Sequence, residues 1–313
     1  MNVTAAPAVN VPDVTLPEGA EFTFAKIGEV KIRTAIIPSL EAEPRGTVVI
    51  IPGRTEFIEK YIEVINDIRN RGFTVFIMDH RGQGLSDRLL DDPLKSYVKR
   101  FGDYARDLSA LLDIYKDKLP RPHVHLGHSM GGCIGLQAAI RGLVHPDAIV
   151  MNAPMLGLVG IEQPGVPEIL SLMSIFGFSK RPIPMQPQSQ GIAIDFKINK
   201  LTTDRRRYDI WRSYFDLNEE ARVAGPTYGW IRAAVSGMRD VMGNARKLQT
   251  PTLIVQPSAD PIVLPEDVKK FAEKSGSKFV MVEGALHETL LEQDIFRDQF
   301  FEAFDIFMSE QRI

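Results

Sequence analysis

The hexapeptide Gly127-His128-Ser129-Met130-Gly131-Gly132 constrains this chain more than any other stretch. It directly follows the expected strand at residues 124–126 and opens a helix-like segment at 133–141. A strand that turns into a helix within one G-x-S-x-G pentapeptide needs small residues on both sides of the serine, because the backbones pass too closely for side chains. The pattern predicts Ser129 in a strained conformation at the C-terminal edge of a sheet, with its hydroxyl presented there. Because a helix starts at that point, the N–H of Met130 points at whatever Ser129 attacks, and the helix dipole favours a developing anion.

The rest of the chain supplies a sheet for such a turn. Strands are expected at Glu21–Ile27, 30–38, Thr47–Ile51, 73–78, 124–126, 148–151, 252–255 and 279–282. Helical spacing separates them: Ile58, Tyr61, Ile62, Ile65 and Ile68 lie on one face up to Gly72, and Leu108, Leu111, Leu112 and Tyr115 on another up to Pro120. Further helices are expected at 265–274 and 294–310. Strands alternating with amphipathic helices imply an α/β fold with a mostly parallel central sheet flanked by helices. The rhythm breaks once, between residues 154 and 250, which hold helical pieces at 168–178, Arg205–Leu217 and 228–242 and a Pro-rich joint at 181–187. A stretch this long is rarely a bare loop. The expected organisation is a loosely ordered arm at 1–20, a sheet body at 21–154 and 249–313, and an inserted helical cap at 155–248.

Composition narrows the function classes. With 37 Lys+Arg against 40 Asp+Glu the formal charge is −3, which argues against nucleic acid as the main partner. The longest strongly apolar stretch, residues 169–178, is well short of the roughly 20 residues a membrane-spanning helix needs. Cys133 is the only cysteine, so neither an intramolecular disulfide nor a thiolate metal cluster is expected. The N-terminal stretch lacks the basic start and apolar core of a signal peptide, which makes the cytoplasm the default location.

A serine nucleophile needs a base. Of six histidines, His80, His123, His125, His128 and His145 lie in or beside strands and early helices and read as structural or exposed. His287 follows the last expected strand, on a loop at the same sheet edge as Ser129, and is the candidate base. The partner that fixes its tautomer is assigned to Asp260, just past the strand at 252–255. Asp260 is preferred over Glu266 and Asp267, which read as first-turn acids of a helix. The place one strand earlier holds Asn152, which cannot supply the charge. A second oxyanion donor is assigned to the backbone N–H of Arg54, after Pro52-Gly53, beside that of Met130. The Arg54 side chain is expected to pair with Glu56, ahead of meeting an anionic substrate group.

These residues resemble a known family. Gly127-His-Ser-Met-Gly-Gly132, Asp79-His-Arg-Gly-Gln-Gly-Leu-Ser86, Gly53-Arg-Thr-Glu56 with Lys60-Tyr61, and the order Ser129, Asp260, His287 are similar to the α/β-hydrolase superfamily. Within it they look like the lysophospholipase and monoacylglycerol lipase branch, particularly its bacterial members, which Asn199-Lys-Leu-Thr-Thr-Asp-Arg205 also resembles. The resemblance implies a serine hydrolase cleaving carboxylic esters of single-chain lipids without metal or organic cofactor, and a chiefly structural role for the block at 79–86. One departure is Pro52-Gly53 where many members have His-Gly; the backbone donor survives it.

In the cap, residues 169–178 are expected to divide between packing on the body and facing an acyl chain or a lipid surface in transient contact. Asp204-Arg-Arg-Arg207 reads as a solvated charge run ahead of a phosphate site. Met130 and Met155 suit an adaptable pocket wall, and Cys133 a buried helix position. Competing readings are the same machinery acting on a lactone, a small ester or a carbon–carbon bond beside a ketone, and a ligand-binding protein on a silenced scaffold. The presence of all three candidate side chains disfavours the last.

Overall fold

The computed structural model describes residues 3–9, 11, 13–184 and 195–313. Among the described residues nine strands form one sheet: β1 (Val3–Ala5), β2 (Glu21–Ile27), β3 (Val30–Ile37), β4 (Thr47–Ile51), β5 (Thr74–Met78), β6 (His123–His128), β7 (Ala148–Asn152), β8 (Thr252–Pro257) and β9 (Lys278–Val282). Their order is β1-β2-β3-β5-β4-β6-β7-β8-β9, antiparallel as far as β5 and parallel from there on. The parallel strands β4, β5, β7 and β8 are buried along their whole length, which is why they read as continuous apolar runs rather than as alternation.

Helices cover both faces. On one, α1 (Ile62–Arg69) and α8 (Asp294–Gln311) bring Ile65, Ile68, Phe300 and Phe304 against Val48, Ile50 and Val150. On the other, α2 (Gly102–Tyr115), α3 (Met130–Ile140) and α7 (Pro265–Ser275) bring Leu108, Leu111, Ile134 and Phe271 against Val49, Ile51 and Ile254. Strand order reverses at β4, whose neighbours are β5 and β6, and the crevice at such a switch point is where open α/β sheets bind ligands.

Between β7 and β8 the described residues contain no strand of the sheet and three α-helices: α4 (Val166–Met173), α5 (Arg205–Leu217) and α6 (Tyr228–Gly243). Asp204 caps α5 and Thr227 caps α6, each accepting from the third residue on. The helix expected through 168–178 passes into a wide turn at Ser174–Phe178, where Gly177 takes φ 93°. The Pro-rich joint is described only as far as residue 184. Phe57 from the loop after β4 stacks on Tyr214 of α5, ring centroids 3.5 Å apart, and seats this segment on the sheet body.

The first twenty residues differ from a loose arm where they are described. Val3–Ala5 pairs antiparallel with β2, and the Pro7 carbonyl accepts from Nε and Nη2 of Arg33 at 3.1 and 2.8 Å. The physical reason is Arg33: fully buried and ion-paired with Glu59 and Asp79, it has donors left that the arm satisfies. Among the described residues no helix is long and apolar enough to cross a membrane.

Candidate active site

Ser129 joins β6 to α3 at φ 50°, ψ −116°, a region that costs a non-glycine residue about 1–3 kcal/mol and persists only where the surroundings impose it. Here its N–H donates to the Asn152 carbonyl at 3.0 Å, and its carbonyl accepts from Met155 at 2.8 Å and Cys133 at 3.2 Å. A Cβ on Gly131 would overlap the carbonyls of Ile51 and Pro52, and one on Gly127 would lie 2.7 Å from Met151 Sδ. The turn is thus driven tightly against the end of β4.

That approach brings the two candidate oxyanion donors onto neighbouring loops. The register pairs Ile51 with Gly127, so Arg54 and Met130 each stand three residues beyond a paired position on adjacent parallel strands. Among the described residues neither of their backbone N–H groups has an acceptor. The β4 loop is held by the Asp79–Ser86 block. His80 Nε2 donates to the Pro52 carbonyl at 2.9 Å, Gln83 Oε1 accepts from the Thr55 N–H, and Asp79 Oδ1 accepts from Ile58 at 2.9 Å. Burial pushes His80 down to about 4, so the ring is neutral and the Pro52 contact puts its one proton on Nε2. Local pattern reads this block as a turn and His80 as structural; its hold on the β4 loop is visible only once both are folded.

Arg54 departs from expectation. Its guanidinium donates to the Ala224 carbonyl at 3.1 Å and lies over the Trp230 ring of α6, 5.6 Å from the centroid, instead of pairing with Glu56. Glu56 is occupied elsewhere: it accepts from Gly53 N–H, from Tyr61 Oη at 2.5 Å and from Lys60 Nζ at 2.7 Å. The Lys60 ammonium also reaches Glu288 at 2.6 Å. Glu56, His128 and Glu288 come within 4.8 Å of one another, a spacing a metal ion could use, and the lysine supplies the positive charge there. Burial raises the Glu288 carboxyl despite Lys60, whereas Lys60 and His128 pull Glu56 down against the same burial. The pairing of Lys60 with Glu288 is not legible in the sequence because 228 residues separate them.

Asp260 and His287 meet. His287 Nδ1 lies 2.8 Å from Asp260 Oδ2, both side chains buried, while Asp260 Oδ1 accepts from the backbone of Ile262 at 2.8 Å and Val263 at 3.0 Å. Burial alone would raise the Asp260 carboxyl; the bond and charge of His287, with these two amides, outweigh it and hold the group below its usual range. The His287 ring also lies 4.8 Å, centroid to centroid, from that of His128, the residue before Ser129. Glu266 and Asp267 sit in the first turn of α7, as expected. Cys133 is buried in α3. Arg207 is no solvated cation: buried, it reaches Glu63, Asp204 and Asp294, leaving Arg205 and Arg206 as the exposed pair.

A nine-stranded sheet with a strained serine at a strand–helix turn, and a histidine–aspartate pair on the loops after β9 and β8, defines an α/β-hydrolase with a serine-centred site. Residues 42–294 match the model of the serine aminopeptidase S33 family, and the chain belongs to that family. Lysophospholipase L2 of Escherichia coli K12 is 36% identical over 266 residues, covering 80% of this chain and 76% of the relative. A probable lysophospholipase L2 of Haemophilus influenzae is 26% identical, covering 87% and 86%. A soluble variant of monoglyceride lipase from Saccharomyces cerevisiae, solved with a substrate analogue, shares the fold at a TM-score of 0.75 and 21% identity, covering 96% of this chain and 98% of that one. The chain is thus an α/β-hydrolase of this family, similar in sequence to lysophospholipase L2.

Proposed function

We propose that this chain hydrolyses the acyl ester of single-chain lipids, lysophospholipids or monoacylglycerols, through an acyl-enzyme on Ser129. The observation that carries the mechanism is the Asp260–His287 hydrogen bond, with the His287 ring 4.8 Å from that of His128, the residue before the strained Ser129. In this reading Ser129 Oγ attacks the ester carbonyl as Nε2 of His287 takes its proton, and Asp260 stabilises the imidazolium. The carbonyl oxygen becomes an oxyanion between the N–H groups of Met130 and Arg54. The imidazolium then protonates the leaving alcohol, and water repeats the sequence on the acyl-enzyme to release the fatty acid.

The described residues of the inserted segment 155–248 serve as a cap over this site. Their outer apolar ridge supports transient contact with a lipid surface: Ile169, Leu172, Ile175 and Phe176 are 61, 52, 70 and 74% exposed. The lone buried cysteine accords with a cytoplasmic protein. The test is a substrate panel. Turnover of lysophosphatidylcholine or monoacylglycerol well above that of a lactone or a short p-nitrophenyl ester supports the assignment. Preference for either small substrate overturns it and leaves a general esterase or lactonase.

A further inference from the structure

The segment Asn199-Lys-Leu-Thr-Thr-Asp204 has no part in the mechanism above, yet it lies against the loop that carries His287. Asn199 shapes it into a compact turn: Oδ1 accepts from the backbone of Leu201 at 2.8 Å and Thr202 at 3.1 Å, and Nδ2 donates to the carbonyls of Phe196 and Thr202, each at 3.0 Å. All four of the amide's hydrogen-bonding positions are thereby used inside the turn. The turn then grips the histidine loop from outside. Leu201 offers its carbonyl to the Glu288 N–H at 2.9 Å, and Thr202 Oγ1 donates to the Leu291 carbonyl at 2.8 Å.

The centre of the grip is Glu292. Its carboxylate is fully buried, and among the described residues no lysine or arginine side chain pairs with it. Four donors hold it instead: Thr203 N–H at 2.9 Å, Thr203 Oγ1 at 2.6 Å, Gln293 N–H at 3.0 Å and Leu286 N–H at 3.3 Å. A buried carboxyl is costly unless its oxygens are hydrogen-bonded, and these four donors meet that need. The two backbone amides that flank His287, those of Leu286 and Glu288, are therefore both anchored, one through Glu292 and one to Leu201.

We infer that the 199–204 turn and Glu292 form a clamp that positions His287, with Thr203 and Glu292 as positioning residues that never touch substrate. This rests on the serine-hydrolase reading. In consequence the inserted segment takes part in holding the base as well as covering the site. A reacting geometry displaced by about 1 Å costs on the order of a hundredfold in rate, and a loosened loop falls within that range.

The experiment counts sites with a fluorophosphonate titrant and measures kcat per titrated site, KM and the pH profile of kcat. Thr203 is exposed, so Thr203→Val keeps shape and fold while deleting the Oγ1 donor. The expected result is a kcat per site about tenfold lower, with KM within about twofold, a displaced pH profile and recovery to within about threefold in Thr203→Ser. Glu292→Gln is expected to lose about a hundredfold. Values of kcat per site within about twofold of wild type in both variants, with only the melting temperature lowered, overturn the clamp and leave a structural contact. A wild type that the titrant does not label at all defeats the serine reading itself, and the clamp with it.

Discussion

Asp260→Asn tests the charge relation at the site with the least change in shape. The carboxylate presents Oδ1 to two backbone N–H groups, at 2.8 and 3.0 Å, and Oδ2 to His287 Nδ1 at 2.8 Å and Gln256 Nε2 at 3.4 Å. An asparagine that keeps its oxygen on the two amides must aim its NH2 at the imidazole. Nδ1 can then only accept, so the ring proton moves to Nε2, and the nitrogen meant to take the serine proton already carries one. The flipped amide would instead abandon two buried N–H groups, at about 1–3 kcal/mol each. The expected loss is about 10⁴-fold in kcat, equivalent to about 5.5 kcal/mol of transition-state stabilisation, with little change in KM. The assay is steady-state hydrolysis of a monoacyl lipid, with circular dichroism to establish folding. A folded Asp260→Asn protein retaining kcat within about tenfold of wild type would refute the reasoning. Because the folded Asp260 carboxyl lies below its usual range, its contribution to stability is present above about pH 3.8 and is lost as pH falls through the folded value; the substitution removes that acid-range dependence.

Three further outcomes follow from buried groups and the exposed ridge. Lys60→Met leaves Glu56 and Glu288 buried without their shared cation and should destabilise the fold by about 3–5 kcal/mol in urea denaturation; a change below about 1 kcal/mol would show the cluster is not held by charge. His125, buried in β6, is pushed by burial to about 3, so below about pH 6.5 the unfolded chain binds a proton that the folded one refuses, and stability falls with falling pH; His125→Leu should shrink the loss between pH 6.5 and 5 by about 2 kcal/mol, and an unchanged loss would contradict the shift. Ile175→Ser with Phe176→Ser should weaken co-sedimentation with phosphatidylglycerol vesicles several-fold while leaving short-ester turnover intact, and undiminished binding would remove the ridge from the account.

Much of the sheet is legible in the sequence because its central strands are buried on both faces and written in continuous apolar residues. Thr47–Ile51 and Glu21–Ile27 coincide with β4 and β2, and Arg205–Leu217 coincides with α5, where Asp204 marks the start. The strand Val3–Ala5 was not, since three residues among Pro and Ala carry no period and form a strand only by pairing with β2. Nor was the break at Gly177, which lies within an unbroken helical pattern. At the site, Ser129, Asp260 and His287 each announce themselves by standing just past a strand. What surrounds them does not: the partners of Arg54, the Lys60 bridge and the burial of Arg207 depend on side chains meeting across the fold, which no local spacing records.

The most direct measurement is intact-mass and peptide analysis after treatment with a fluorophosphonate. The account predicts one adduct per chain on the wild type, carried by the peptide containing Ser129, none on Ser129→Ala, and loss of lipid hydrolysis in proportion to labelling. An adduct that persists in Ser129→Ala, or a fully labelled wild type that still hydrolyses its substrate, would contradict it.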